Sequence, residues 1–280
     1  MKLFTSSLVV LFAAAAVDLG HGSIVAQVFG RSAAAVPRDS IEVNAAKLDH
    51  FLMTSFGNEE VIDEEGLVMS YSYNPEFDEK PMQKMHDIIL LLDSSGSIGA
   101  DDFLKAIQFL ANFVNLIPST ISPANTRFAC ISFSEADKII TEFNFHDHSN
   151  RSSVVKAIQR ITYQDGASTH TTKALRRAQA LFASNGRDNA KKFVFMATDG
   201  RSNGGGNPAV PANEMKNTDR GDVQIDVFAV SDNVNKQEID AIASSPPSQH
   251  VYDVETFADA TNITENVRGK MEARGIMIPH

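Results

Sequence analysis

The sequence predicts an α/β fold: a doubly wound, mostly parallel sheet with one antiparallel edge strand and helices on both faces. Short, continuously apolar runs alternate along the chain with longer segments whose apolar residues recur at helical spacing. This alternation is typical of strands that are buried on both faces and joined by crossover helices. Apolar residues make up 43% of the 280 positions, which is enough to bury a sizeable core.

The first strand is predicted at 88–92, where five apolar residues end at Asp93. Asp101 and Asp102 then open a helix that ends before Pro118, because proline cannot continue a helix. The same alternation predicts further strands at 128–133, 139–143, 193–198, 225–230 and 250–254, and further helices at 151–161, 171–183, 236–243 and 257–271. Too few residues join the second and third strands for a crossover, so that pair is predicted to be a hairpin that includes the antiparallel edge strand.

The N-terminal part of the chain has a different composition. Lys2 precedes an apolar run that ends in small residues, so residues 1–22 are predicted to be a secretory signal peptide rather than a membrane span. Residues 23–85 carry eleven acidic and five basic side chains and show no sustained hydrophobic period. We therefore expect an acidic, flexible extension there, followed by one folded domain at 86–275 and a short tail at 276–280.

Composition and short motifs narrow the function. A net charge of −10 disfavours a protein that binds the phosphate backbone of nucleic acids. Cys130 is the single cysteine, so an internal disulfide and a cysteine zinc site are both excluded, and this residue is predicted to fill a small core position. The acceptor sequons at Asn150 and Asn262 are candidate glycosylation sites in an exported protein.

Oxygen-bearing side chains cluster where predicted strands end. Asp93, Ser95 and Ser97 follow the first strand, Thr169 lies just before a predicted helix, and Asp199 ends a later strand. Ligands of open parallel sheets bind at this edge. Two carboxylates and several hydroxyls suit a hard cation, and Mg²⁺ suits best because it prefers oxygen ligands and keeps some of its waters. Mn²⁺ and Ca²⁺ are the alternatives.

The pattern Asp93-x-Ser95-x-Ser97, followed by Thr169 and by Asp199 with its glycine, resembles the metal-ion-dependent adhesion site, or MIDAS, of the von Willebrand factor A domain family. This family includes the inserted domains of integrins. The resemblance implies that the two serines and the threonine contact the metal, while the two aspartates act largely through bound water. A metal with mainly neutral ligands keeps positive charge, so an acidic side chain of a partner can complete its coordination.

The resemblance covers about residues 86–275 and implies a Rossmann-like fold in a secreted adhesion module that is not an enzyme. Its partner would be collagen or another component of the extracellular matrix, with the metal bridging to an acidic residue of that partner. Asp165 and His170 are expected on the partner-binding rim of the site. The alternative in the same setting is a structural matrix protein that associates with itself or with mineral.

A serine hydrolase is the alternative from a different class. Residues 200–204 fit the nucleophile-elbow pattern with Ser202 at its centre, and Asp226 or Asp232, and then His250, follow in the order of a hydrolase triad. Glycines and Pro208 come next, where the elbow needs a helix at once, which argues against this interpretation.

The segment 220–222 spells Arg-Gly-Asp, the tripeptide that integrins bind. It also lies just before a predicted strand, where a helix-ending glycine is expected. We favour the structural interpretation of this segment over the adhesive one.

Overall fold

The computed structural model of the chain describes residues 38–57, 61–62, 68–69, 84–217, 223–231, 234–276 and 278. The predicted signal peptide, the Arg-Gly-Asp segment and Asp232 lie outside them. The helices are α1 (Ile41–Phe56), α2 (Gly99–Leu116), α3 (Arg151–Ile158), α4 (Thr171–Asn185), α5 (Ala209–Lys216), α6 (Lys236–Ile242), α7 (Pro247–His250) and α8 (Phe257–Ala273). The strands are β1 (Val61–Ile62), β2 (Val68–Met69), β3 (His86–Asp93), β4 (Thr126–Phe133), β5 (Ile139–Phe143), β6 (Lys191–Thr198), β7 (Val223–Val230) and β8 (Val251–Val254).

Six strands form one sheet in the order β5-β4-β3-β6-β7-β8. All neighbours in this sheet are parallel except β5, which runs antiparallel to β4 at one edge. β1 and β2 form a separate antiparallel pair. The predicted sheet and its antiparallel edge strand are therefore confirmed.

Successive residues of the central strands enter two apolar cores, one on each face of the sheet. In β3, Leu90 and Leu92 enter the first core and Leu91 enters the second. Helices α1, α2, α3 and α8 cover the first core, and α4, α5 and α6 cover the second. Cys130 is fully buried in the first core, and burial raises the pKa of its thiol well above the ordinary value, as expected of a small core residue.

Helix α1 lies in the segment for which the sequence predicts a flexible extension, and here the structure differs from that prediction. Leu48 and Leu52 of α1 have no exposed surface and belong to the first core. Asn44 and Asp49 are also buried, so polar residues interrupt the apolar stripe of this helix. This interruption hides the helix in the sequence, because an amphipathic helix is predicted from apolar residues that recur at helical spacing without a break.

None of the helices in the described ranges is long and apolar enough to cross a membrane.

His86 lies at the start of β3, beneath the end of α1, with no exposed surface. The ring of Phe56 meets it edge-on at a centroid distance of 4.7 Å, and its Nδ1 is 3.0 Å from the Thr126 hydroxyl. Burial lowers the pKa of His86 to about 4. Nearby positive charges lower it further, and they belong to Lys191, Lys84 and Arg187.

We expect acid to destabilise the fold through His86. The folded protein keeps this imidazole neutral down to about pH 4, whereas in the unfolded chain it binds a proton near pH 6.5. Its effect on the free energy of unfolding is therefore absent above pH 6.5, and stability falls by up to about 3 kcal/mol as the pH approaches 4. Urea denaturation between pH 7 and 4.5 should show a weaker pH dependence for His86→Gln than for the unchanged protein. An equal dependence in both would contradict the prediction.

Candidate functional site

The predicted ligands come together at one edge of the sheet. Asp93 is the last residue of β3, and Asp199 follows β6, which is the parallel neighbour of β3. Ser95 and Ser97 lie in the loop after β3, and Thr169 lies two residues before α4. Because parallel neighbours end at the same edge, three loops that are distant in sequence meet there.

A chain of hydrogen bonds links four of the five side chains. Asp93 is fully buried; its Oδ1 accepts a hydrogen bond from the Ser95 amide at 2.9 Å, and its Oδ2 accepts one from the Thr198 hydroxyl at 2.6 Å. The hydroxyls of Ser95 and Ser97 are 3.1 Å apart. The Ser97 hydroxyl donates to Asp199 Oδ1 at 3.0 Å. Both carboxylates therefore lie on one network, which runs from Asp93 through the Ser95 backbone amide and from the Ser95 hydroxyl through Ser97 to Asp199.

The two carboxyl groups share a poorly solvated environment. Burial raises the pKa of Asp93. Burial, together with the negative charge of Asp93, raises the pKa of Asp199 to about 7. In the part of the chain that the structure describes, no lysine or arginine forms a salt bridge with either carboxylate. The site therefore carries negative charge that a bound cation would stabilise.

Thr169 completes the set through its position beside Gly200. A methyl group placed on Gly200 would lie 3.7 Å from the Ser97 hydroxyl and 3.9 Å from the Thr169 hydroxyl, so both hydroxyls border the same small space. Ser97, Thr169 and Asp199 line a cleft of about 420 Å³. Thr256 and Phe257, at the start of α8, also line this cleft.

Asn203 positions Thr169 and was not among the predicted residues. The side-chain oxygen of Asn203 accepts a hydrogen bond from the Thr169 backbone amide at 2.7 Å, and the backbone amide of Asn203 donates to the Thr169 carbonyl at 3.1 Å. These two bonds connect the loop after β6 to the loop before α4. The sequence signal was its place four residues after Asp199, but only the tertiary contact shows what the side chain does.

The loop after β3 is supported by a second loop, at 163–166. The Gly96 amide donates to the Gly166 carbonyl at 2.7 Å, and the Tyr163 hydroxyl is 3.1 Å from the Ser95 carbonyl. Gly166 packs so closely that a methyl group on it would lie 2.4 Å from the Ser134 side chain. A side chain at Gly166 would therefore push this support away from the site.

We expect Gly166→Ala to lower the free energy of unfolding by about 1 to 3 kcal/mol, because the new methyl group overlaps Ser134. Gly269→Ala is the matched control. Gly269 lies inside α8 with no atom within 4 Å of an added methyl group, so this change should raise stability by about 0.5 to 1 kcal/mol. Urea denaturation measures the free energy of unfolding of both variants. Equal changes in the two would contradict the close approach of Gly166 to Ser134.

The two residues expected on the partner-binding rim have different surroundings. Asp165 is exposed and adopts a positive φ of 49°. The ring of His170 packs against the loop after β6, where a methyl group on Gly204 would come within 2.3 Å of Nε2. His170 thus supports the loop that carries Asn203. A role for Asp165 or His170 in contacting a partner stays a prediction.

The donor set fits a hard divalent cation. Among the described residues, no group of three or more His, Cys, Asp or Glu side chains is arranged to hold a metal. The candidate site has only two carboxylates, so the hydroxyls of Ser95, Ser97 and Thr169 would have to supply the other protein ligands. All of these ligands are oxygen, which Mg²⁺, Mn²⁺ and Ca²⁺ accept in proteins.

The structure does not bring Ser202 to the histidine of the hydrolase alternative. The Ser202 hydroxyl donates to backbone carbonyls of its own surroundings, at 3.4 Å to Thr169 and 3.3 Å to Gly204. His250 does contact Asp226, one of the two aspartates of that alternative, with its Nδ1 3.0 Å from Asp226 Oδ1. Ser202 lies beyond the C-terminal end of β6, whereas His250 precedes the N-terminal end of β8. Because these strands run in the same direction, the two residues lie at opposite ends of the strands.

Both candidate glycosylation sites are exposed. Asn150 caps α3, and its side-chain oxygen accepts a hydrogen bond from the Ser153 amide at 2.9 Å. Asn262 lies within α8. Modification of either asparagine stays a prediction.

Comparison with known sequences finds relatives for the domain that contains this site. The rat protein named "Sushi, von Willebrand factor type A, EGF and pentraxin domain-containing protein 1" is 30% identical over 178 residues, which cover 62% of this chain and 5% of that protein. Mouse integrin alpha-X is 29% identical over 194 residues, covering 67% of this chain and 16% of the integrin. Cuticlin-6 of Caenorhabditis elegans is 31% identical over 174 residues, covering 62% of this chain and 28% of the cuticlin. The chain thus spans a small part of each relative's length.

A solved structure is also similar. Proximal thread matrix protein 1 from the mussel byssus, solved with a zinc-occupied MIDAS motif, matches with a TM-score of 0.58 and 26% identity. The match covers 66% of this chain and 45% of the mussel protein.

The family model of the von Willebrand factor type A domain matches residues 87–266. This range begins one residue after the start of β3 and ends within α8, so it contains all of the six-stranded sheet except His86, and every predicted metal ligand. The chain therefore belongs to the von Willebrand factor type A domain family.

Proposed function

We propose that this chain is a secreted adhesion module that binds an extracellular protein through a divalent cation. Its protein ligands are Asp93, Ser95, Ser97, Thr169 and Asp199. The observation that carries the proposal is the convergence of these side chains from three loops, with two carboxylates that lack a described cationic partner.

Each part of the site has its own task. The cation, when bound, supplies a positive centre that an acidic side chain of a partner can approach. Asp93 is buried and orients the loop after β3 through the Ser95 amide. Ser97 donates to Asp199, which holds that carboxylate towards the cleft. Asn203 keeps Thr169 in position from the other side.

Mg²⁺ is the proposed cation, because every available ligand is an oxygen and no sulfur or imidazole is part of the set. The similar mussel protein has zinc in its MIDAS motif, so zinc is a competitor that the experiments must include.

Collagen or another matrix protein is the proposed partner, and the extracellular matrix is the proposed location. The similarity of the chain to an integrin, a cuticlin and a thread matrix protein supports this assignment.

The test is binding of the full chain to a panel of immobilised matrix proteins in Mg²⁺, in Zn²⁺ and in EDTA. We expect binding in Mg²⁺ that EDTA and the Asp93→Ala variant each abolish. Ser202→Ala is the control, since Ser202 lies near the site but donates only to backbone carbonyls. Metal-bridged adhesion would be refuted if the unchanged chain bound equally well in Mg²⁺ and in EDTA, and if Asp93→Ala bound as well as the unchanged chain.

A structural matrix protein that associates with itself is the second candidate. The similarity to a byssal thread matrix protein and to a cuticlin favours it. Sedimentation velocity of the chain alone separates the two functions: concentration-dependent association without any added partner supports self-assembly, whereas a monomer that binds the matrix panel supports adhesion.

A further inference from the structure

Strand β5 forms one edge of the six-stranded sheet, and no described strand pairs with its outer side. In the ladder with β4, Ile140 lies opposite Ser132, and the Ser134 amide donates to the Lys138 carbonyl at 3.1 Å. Hydrogen-bonded pairs alternate with non-hydrogen-bonded pairs in an antiparallel ladder, so Ile140 also directs its backbone groups to β4. Its neighbours Ile139 and Thr141 therefore direct their backbone N–H and C=O groups outwards.

The side chains on one face of this edge have a symmetric pattern. Lys138, Ile140 and Glu142 alternate along the chain and line the same groove. The Ser132 hydroxyl, opposite Ile140, donates to Glu142, which places these side chains on one face. Ile140 is 45% exposed, and the other large apolar side chains that are exposed in the described ranges lie on helices. A basic and an acidic residue thus flank an exposed apolar one at equal spacing.

We propose that β5 pairs with β5 of a second copy of this chain, antiparallel and centred on Ile140. The two Ile140 side chains then lie side by side, and each Lys138 lies opposite Glu142 of the other copy. Ile139 of each copy lies opposite Thr141 of the other, so the outward backbone groups of both residues gain hydrogen-bond partners. The edge is complementary to itself in charge, in apolar surface and in backbone hydrogen bonding.

Both charged groups are accessible to a second copy. The Lys138 ammonium contacts Glu135 at 3.3 Å and is 38% exposed, and an ammonium group has three hydrogen-bond donors. Glu142 accepts the Ser132 hydrogen bond at Oε1, which leaves its Oε2 for a cation of the other copy. Each pair is therefore formed without the loss of a contact within the chain.

The geometry limits this association to two chains. Thr141 lies opposite Ile131 of β4, but Phe143 lies opposite Cys130, so the regular ladder ends at Glu142. A twofold contact uses the same surface on both copies and closes at a dimer, whereas a contact between two different surfaces continues into a fibre. The contact is also short, and small interfaces are typical of weak association. We therefore expect a dimer that dissociates on dilution.

The inference goes beyond the proposed function and needs no metal. Asp93, Ser95, Ser97, Thr169 and Asp199 lie outside β5 and outside the groove beside it. A dimer would thus carry two free metal sites, and two linked sites bind a repetitive matrix more tightly than one.

The test is sedimentation velocity of the full chain over a dilution series, in EDTA and in Mg²⁺. We expect a reversible dimer with the same affinity in both. Lys138→Glu alone and Glu142→Lys alone each place like charges opposite one another at two positions, so each variant should dimerise about tenfold or more weakly. An equimolar mixture of the two variants should dimerise like the unchanged chain, because the acidic residues of one then lie opposite the basic residues of the other. Loss of folding in either variant could not produce this recovery.

Ile140→Asp should also weaken the dimer, because it places two carboxylates side by side at the axis. Leu104→Asp is the matched control, since Leu104 is an exposed apolar residue on α2, and it should dimerise like the unchanged chain. A monomer at every concentration, growth beyond two chains, association that EDTA abolishes, or no recovery in the mixture would each overturn the inference. A chain that stays monomeric but binds the matrix panel in Mg²⁺ would leave the proposed function intact, and a dimer that binds no metal would leave the β5 pairing intact.

Discussion

An Asp199→Asn variant is expected to bind Mn²⁺ about 10- to 100-fold more weakly than the unchanged chain, and yet to be the more stable of the two when no metal is present. The charge of Asp199 has opposite effects on metal binding and on stability. It attracts a divalent cation, but without a cation it destabilises the fold, because it is partly buried beside the carboxylate of Asp93. The neutral amide removes the repulsion and should add about 2 kcal/mol to the free energy of unfolding, after allowance for solvent screening.

The gain in stability should depend on pH in a defined direction. The folded pKa of Asp199 is raised to about 7 from an ordinary value of 3.8, so its charge destabilises the metal-free fold increasingly between pH 4 and 7 and fully above pH 7. Urea denaturation in EDTA should therefore show the full advantage of Asp199→Asn at pH 8 and less than half of it at pH 5.

Asp102→Asn is the matched control for this prediction. Asp102 also lines the cleft, but it is paired with Lys105 on the surface and is not a predicted ligand. Its variant should bind Mn²⁺ like the unchanged chain and differ from it in stability by less than about 1 kcal/mol. Equal Mn²⁺ affinities for Asp199→Asn and Asp102→Asn would mean that Asp199 is not part of the metal site.

An Asp87→Asn variant is expected to lose about 3 to 5 kcal/mol of stability, because it leaves buried positive charge without its partner. Asp87 has no exposed surface. Arg127 donates to both of its carboxylate oxygens, at 2.9 and 2.7 Å. Arg187 reaches the same carboxylate through its amide at 2.7 Å and through its side chain at 2.8 Å. One carboxylate thus ties β3 to β4 and to the segment before β6.

The measurement is urea denaturation, with Lys236→Gln as the control. Lys236 forms an exposed i,i+4 pair with Asp240, and breaking it should cost less than about 0.5 kcal/mol. Mn²⁺ affinity of Asp87→Asn should stay at the level of the unchanged chain under conditions where it is folded, because Asp87 stands at the opposite end of β3 from Asp93. A loss of affinity in the folded variant would show that the two ends of the strand are coupled.

The central strands were predictable because burial on both faces of the sheet favours continuous apolar runs in the middle of a strand, as at 88–92 in β3. Every residue of β3 and of β4 is buried, so the apolar runs stand out in the sequence. The metal ligands were predictable for a related reason: residues that follow parallel strands meet at one edge, whatever their separation along the chain.

Helices α1, α5 and α7 were not predicted, and local sequence explains why. Pro211 lies inside α5 and Pro247 begins α7, and prolines usually signal the end of regular structure. In α1 the buried Asn44 bonds to backbone carbonyls of Asp39 and Asp253. Asp253 is distant in the chain, so the burial of Asn44 could not be read from the helix itself.

The sequence by itself determined the α/β class, the antiparallel edge and the identity of the residues that follow the strands, because each of these depends on local patterns of apolar and polar residues. Only the tertiary structure decided that Asn203 positions Thr169, that His170 packs against a glycine loop, and that α1 is part of the core. Each of these rests on contacts between residues far apart in the chain, and no local pattern encodes such a contact. The acidic segment at the N-terminus, which composition marked as an extension, thus includes a helix that completes the domain and reaches the same α8 that borders the candidate metal site.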